Sequence, residues 1–215
     1  MTFPHTLKSI KKLMTAVALS LISEIVMIIL CNLSIGTSAT QRTLQELPSS
    51  TAVPIVLLMA VYLLAKLYTY ILYTVHTYKA SVEDANFRVA FYSNIISLFL
   101  AMIIVIFAAN REIENIAELL LILTTLLGEV YVLEGLRSLC KQLGHPEMDT
   151  IGGRIYALIT TIFVFRTCVS ISILVLGDTE VSSAWLTILD SALSIIESVM
   201  FLYYFSAAIK ILSKE

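Results

Sequence analysis

The chain is expected to be an all-α, polytopic membrane protein: a six-transmembrane-helix bundle with both termini in the cytoplasm. Three observations predict it. Of 215 residues, 58% are hydrophobic and only 14% are charged, against about 45–50% and about 25% in a soluble domain. With a mean hydropathy of +0.90, the chain has too little charge to coat a water-facing surface around so large an apolar content. The apolar residues fall into six long runs, each able to supply the roughly 20 residues that a helix needs to cross about 30 Å of hydrocarbon. The positive charges gather on alternate connections. This composition excludes an ordinary cytosolic enzyme, a disordered chain and a nucleic-acid binder, since 14 Lys and Arg against 16 Asp and Glu leave no basic excess for phosphates. Barrel strands of about 9–11 residues with alternating polarity find no counterpart in runs of this length.

The first helix is expected over 13–35. Lys8, Lys11 and Lys12 precede it and suit anionic lipid headgroups. Its apolar run exceeds the roughly 7–15 residues of a signal peptide and carries Glu24 at its middle, so it reads as a retained helix. A connection over 36–52, rich in Gly, Ser, Thr, Gln and Pro, leads to helix 2 over 53–75. Pro54 is expected in its first turn, where a missing N–H is harmless. Tyr62, Tyr68, Tyr70, Tyr73 and Tyr78 crowd this helix around Lys66. They read as interface anchors and packing groups rather than an aromatic cage.

Helix 3, over 89–109, carries no charge, but Ser93, Asn94 and Ser97 make one half polar. A tight turn at 110–115 leads to helix 4 over 116–136, with Glu129 near its centre and Glu134 toward its end. Arg137 follows Glu134 by three residues and is its expected ion-pair partner. A loop over 137–154 holds Gly144, Pro146 and the Gly152–Gly153 pair. Helix 5, over 155–176, carries Arg166. Helix 6, over 184–212, carries Asp190 and Glu197 and is long enough to tilt or project. With only 7 Gly and 4 Pro, the helices are expected to be straight, and any site to be built from side chains rather than unwound backbone. No Gly-x-x-x-Gly pair occurs, so close glycine-mediated crossings are not expected.

Positive charge sets the expected orientation. With the N-terminus inside, ten Lys and Arg residues lie on the inner segments and only Arg42 and Arg111 on the outer ones, with Lys66 and Arg166 within the membrane. Both termini are therefore expected in the cytoplasm, with residues 1–215 forming one integral membrane domain, in the cell membrane.

Ionisable side chains near the centre of a spanning helix cost at least about 2.5–3.5 kcal/mol on insertion scales. Four acids, Glu24, Glu129, Asp190 and Glu197, occupy such positions, against two bases, Lys66 and Arg166. The two surplus acids must be protonated, hold a cation or face water. Asp190 and Glu197 are seven residues apart on one helix face, with Ser191, Ser194 and Ser198 beside them, so helix 6 is the expected wall of a polar interior. Glu24 with Lys66 and Glu129 with Arg166 recur at offsets of 105 and 100 residues. That is a faint parallel between two three-helix halves, and ordinary spacing is the plainer explanation of it.

Other constellations are weaker. His145, Glu147 and Asp149 could gather around a divalent ion, but a polar turn is the plainer reading. No P-loop, Gly-x-Ser-x-Gly, His-Glu-x-x-His or Cys-x-x-Cys pattern occurs. Cys31, Cys140 and Cys168 imply no disulfide framework. No cofactor, metal or catalytic residue is expected, and an enzyme is the least favoured class. The leading expectation is a protein that binds or moves a cation, proton or small solute. The alternative is a non-catalytic subunit whose intramembrane charges dock a membrane partner, a second copy or its own helices.

Overall fold

A computed structural model describes residues 3–38, 49–107, 110–145, 147–176 and 180–213. Six α-helices account for nearly all of them: α1 (Pro4–Ser38), α2 (Ser49–Ala80), α3 (Ala85–Ile106), α4 (Arg111–Gln142), α5 (Glu147–Leu176) and α6 (Glu180–Leu212). All six contain a stretch of 18–27 residues apolar enough to cross a membrane, and the described residues include no strand. The chain is a multi-pass membrane protein.

The helices are longer than the apolar runs alone predict. Hydrocarbon thickness limits the apolar stretch, but backbone hydrogen bonding continues beyond it wherever the residues tolerate a helix. Residues 137–142 therefore extend α4, and Gly152, Gly153 and Arg154 lie inside α5, leaving only a short connection where a loop over 137–154 was expected. Residues 111–115, expected in a turn, open α4. Pro54 lies beyond the first turn of α2, since that helix begins at Ser49. Local chemistry marks the ends. Asp84 caps α3 by accepting from the Asn86 N–H at 2.8 Å, and Asn110 caps α4. Gly144, at φ 80°, takes the left-handed position after α4 that glycine fills without strain.

Each helix packs against the next in sequence, α6 closes on α1, and α4 also touches α6 across the middle. The six thus form a ring in chain order. The buried apolar core lies toward the end that carries both termini. There Ile10 and Leu13 of α1 meet Phe87 of α3, Leu136 and Leu139 of α4, Met148 of α5 and Phe205 of α6. Outward-facing apolar side chains such as Leu64 and Val105 are exposed, as lipid contact requires.

Two contacts fix this end of the ring. The Glu83 carboxylate, in the turn between α2 and α3, accepts from the backbone N–H groups of His5 at 2.9 Å and Thr6 at 2.7 Å. It thereby satisfies two orphan donors at the start of α1 and sits at the positive end of its dipole. Glu83→Ala is expected to cost about 1–2 kcal/mol, seen as a lower unfolding midpoint in detergent. Glu83→Gln, which keeps one acceptor, is expected to lose less.

The second contact is the seam between α3 and α4, a close glycine-mediated crossing that the absence of a Gly-x-x-x-Gly pair does not signal. Gly128 and Gly135 are two helical turns apart on α4. A Cβ on Gly135 would lie 2.8 Å from Phe87 Cε2, and one on Gly128 would lie 3.1 Å from Asn94 Oδ1. Ser97 and Thr124 hydroxyls share a 2.9 Å hydrogen bond in the same seam. Small residues let the backbones approach, and hydroxyls satisfy each other across the gap. The pattern is Gly-x6-Gly rather than Gly-x-x-x-Gly.

Candidate functional site

A cavity of about 600 Å³ lies inside the ring. Every helix except α3 contributes to its wall, four of them with two or more residues at helical spacing and α5 with Phe163 alone. Residues 121, 122, 125, 126 and 129 form one stripe on α4, Glu24 and Met27 face it from α1, and Tyr62 and Lys66 from α2. Ser191, Ser194 and Glu197 line it from α6, and Phe163 from α5. Helix α3, whose one charged residue, Arg88, lies in its first turn, is spent on the seam with α4 instead.

Four of the six charged candidates therefore share one wall: Glu24, Lys66, Glu129 and Glu197. The side chains of the other two, Arg166 and Asp190, lie outside the described residues. Glu24 is only 6% exposed, and its carboxylate is ion-paired with Lys66 of the neighbouring helix. The Lys66 ammonium also lies 3.5 Å from Ser20 Oγ and 5.8 Å from the centroid of the Tyr62 ring. Glu197 and Ser191 are buried on α6, the helix beside α1 in the ring.

Toward the termini, the apolar core closes the ring beyond the cavity. Val132 and Leu133 follow Glu129 on α4, and Phe201 and Phe205 follow Glu197 on α6, all in the buried cluster. Tyr73, two turns beyond Lys66 on α2, packs against the same cluster. Its hydroxyl is buried with no hydrogen-bond partner among the described residues, within electrostatic reach of both Glu129 and Glu197. A buried hydroxyl without a partner costs about 1–3 kcal/mol.

Of the crowded tyrosines, Tyr62 alone joins the cavity wall. Tyr68 and Tyr78 are exposed, and Tyr70 donates to the Asn94 carbonyl of α3. Glu134 and Arg137 pair as expected. Arg137 also donates from Nε to Asp149 Oδ1 at 3.0 Å, so Asp149 belongs to a bridge between α4 and α5 and not to a free polar turn with His145. Gly152 makes room for that bridge, since a Cβ there would lie 2.7 Å from Arg137 Cγ and 2.9 Å from Tyr204 Oη. Cys140 is buried and Cys168 exposed, and neither is in a disulfide. The side chains of Cys31 and Glu147 lie outside the described residues. Sequence reasoning missed Thr125, Met27 and Phe163 in the wall. Thr125 was detectable one helical turn before Glu129.

Compared with known proteins, the chain matches no family model, no curated protein and no solved structure.

Proposed function

We propose that the protein binds a cation, proton or small solute in the ring cavity and carries it across its membrane. One observation carries this reading: Glu24, Lys66, Glu129 and Glu197, far apart in sequence, line a single cavity. A carboxylate held within a membrane must be neutralised, hydrated or engaged by a ligand, and the chain has four deep acids for two deep bases. Glu129 and Glu197 are the titrating or coordinating groups in this proposal, with Asp190 expected to assist from α6. Lys66 and Arg166 serve as counter-charges. The end that holds the termini faces the cytoplasm of the cell membrane, on the strength of the lysine and arginine bias.

The test is flux into proteoliposomes of the purified protein. Proton or cation uptake that depends on pH or on the driving ion is expected, falling to the level of empty liposomes in Glu197→Gln and strongly reduced in Asp190→Asn. Undiminished flux in both variants excludes these residues as the path.

A second reading has its own support. The Glu24–Lys66 pair joins α1 to α2 within one chain, as a pair that only docks helices would. If the intramembrane charges serve assembly, a membrane partner or second copy co-purifies in mild detergent at fixed stoichiometry, and liposomes show no flux.

A further inference from the structure

The size of the cavity bears on what it takes. About 600 Å³ falls within the roughly 300–1,000 Å³ of sites that enclose drug-sized molecules, and it is about twenty times the roughly 30 Å³ that one water occupies in the liquid. A bare ion would leave most of it empty. The acids are also spread around the wall. Among the described residues no three His, Cys, Asp or Glu side chains are grouped closely enough to hold a metal ion, whereas a cation such as calcium takes about 6–8 oxygens at about 2.3–2.6 Å. The same wall also holds Met27, Leu121, Ile122, Leu126 and Phe163. This apolar surface is useless to a hydrated ion but favourable to a carbon skeleton.

The wall already holds one ammonium, that of Lys66. A carboxylate from Glu24, a hydroxyl from Ser20 and the Tyr62 ring surround it, the combination that recognises alkylammonium groups by ion pairing and cation–π attraction. Elsewhere on the wall, α4, α5 and α6 bring the same kinds of group: the Glu129 and Glu197 carboxylates, the Ser191 and Ser194 hydroxyls, and the aromatic ring of Phe163. The buried hydroxyl of Tyr73 lies within electrostatic reach of both acids.

We infer that the cavity is a binding site for an organic ammonium, a protonated or quaternary amine whose charge meets Glu129 and Glu197 and whose apolar body lies against Leu121, Ile122 and Phe163. The inference rests on the reading of the cavity as a solute site and names the class of solute.

Isothermal titration of the full chain in lipid nanodiscs tests it, with benzyltrimethylammonium as probe and benzenesulfonate as an anion of similar size. Saturable binding of the ammonium is expected, with no binding of the sulfonate. Glu129→Gln and Glu197→Gln are each expected to weaken it at least tenfold. Thr125→Trp is expected to abolish it by filling the cavity from a position already exposed to it. No ammonium binding to the unaltered protein overturns the inference, and so does equal binding of the sulfonate or unchanged affinity in all three variants. Glu197-dependent proton or sodium flux without ammonium binding overturns the amine assignment while the broader solute reading stands. Ammonium binding without flux of any kind supports the site and removes the transport reading.

Discussion

Lys66→Met is expected to destabilise the protein by about 3–5 kcal/mol, because it strips the cation from a carboxylate that stays buried. Glu24 is 6% exposed, so little of its carboxylate is open to hydration once the ammonium is gone. The reverse change is milder. Lys66 keeps 32% of its side chain exposed, so in Glu24→Gln its ammonium can turn toward water and retain the Tyr62 ring, at a cost of about 1–3 kcal/mol. The double variant, Glu24→Gln with Lys66→Met, removes both charges and is expected to recover most of the stability lost in Lys66→Met, since a buried pair can often be replaced by neutral groups without net loss. Unfolding midpoints in detergent for the four proteins of this cycle give the coupling energy. The same four proteins separate the two readings of the pair. A double variant that is stable and still moves solute makes Glu24–Lys66 a clasp between α1 and α2. One that is stable but inactive makes it part of the path.

Much of this arrangement was legible in the sequence, and what escaped has physical reasons. Six helices follow from run length, because nothing shorter crosses the hydrocarbon. The charges that matter follow from their cost, because a spanning helix does not keep Glu24 or Lys66 at its centre without a use for them. Partner choice is different. Whether Glu24 meets Lys66 or Arg166 depends on which helices are neighbours, and one sequence carries no statement of ring order. The Glu134–Arg137 pair was readable because its partners share a helix. The Arg137–Asp149 contact was not, because its partners lie on two. Hydropathy is likewise blind to the seam of α3 and α4, since Gly128, Ser93 and Ser97 lower the apolar score while they allow a close contact.

That seam yields the second large effect, because one chemical change at three glycines separates contact from propensity. Gly135→Ala is expected to cost about 1–3 kcal/mol by overpacking. The new methyl would lie 2.8–3.0 Å from three atoms of the Phe87 ring. Phe87 is itself 0% exposed within the core and has nowhere to swing. Gly128→Ala is expected to cost less, since its nearest neighbour is Asn94 Oδ1 at 3.1 Å and an amide can tilt by a few tenths of an ångström. Gly153→Ala meets nothing within 4 Å and lies inside a helix, so it is expected to stabilise by up to about 1 kcal/mol through helix propensity alone. Pairing Gly135→Ala with Phe87→Leu tests the cause: if the ring is the obstacle, the double variant costs less than the two single changes added together. Because α3 contributes nothing to the cavity wall, folded Gly135→Ala protein is expected to bind benzyltrimethylammonium with unchanged affinity. Weakened binding there would make α3 a working part of the site rather than its brace.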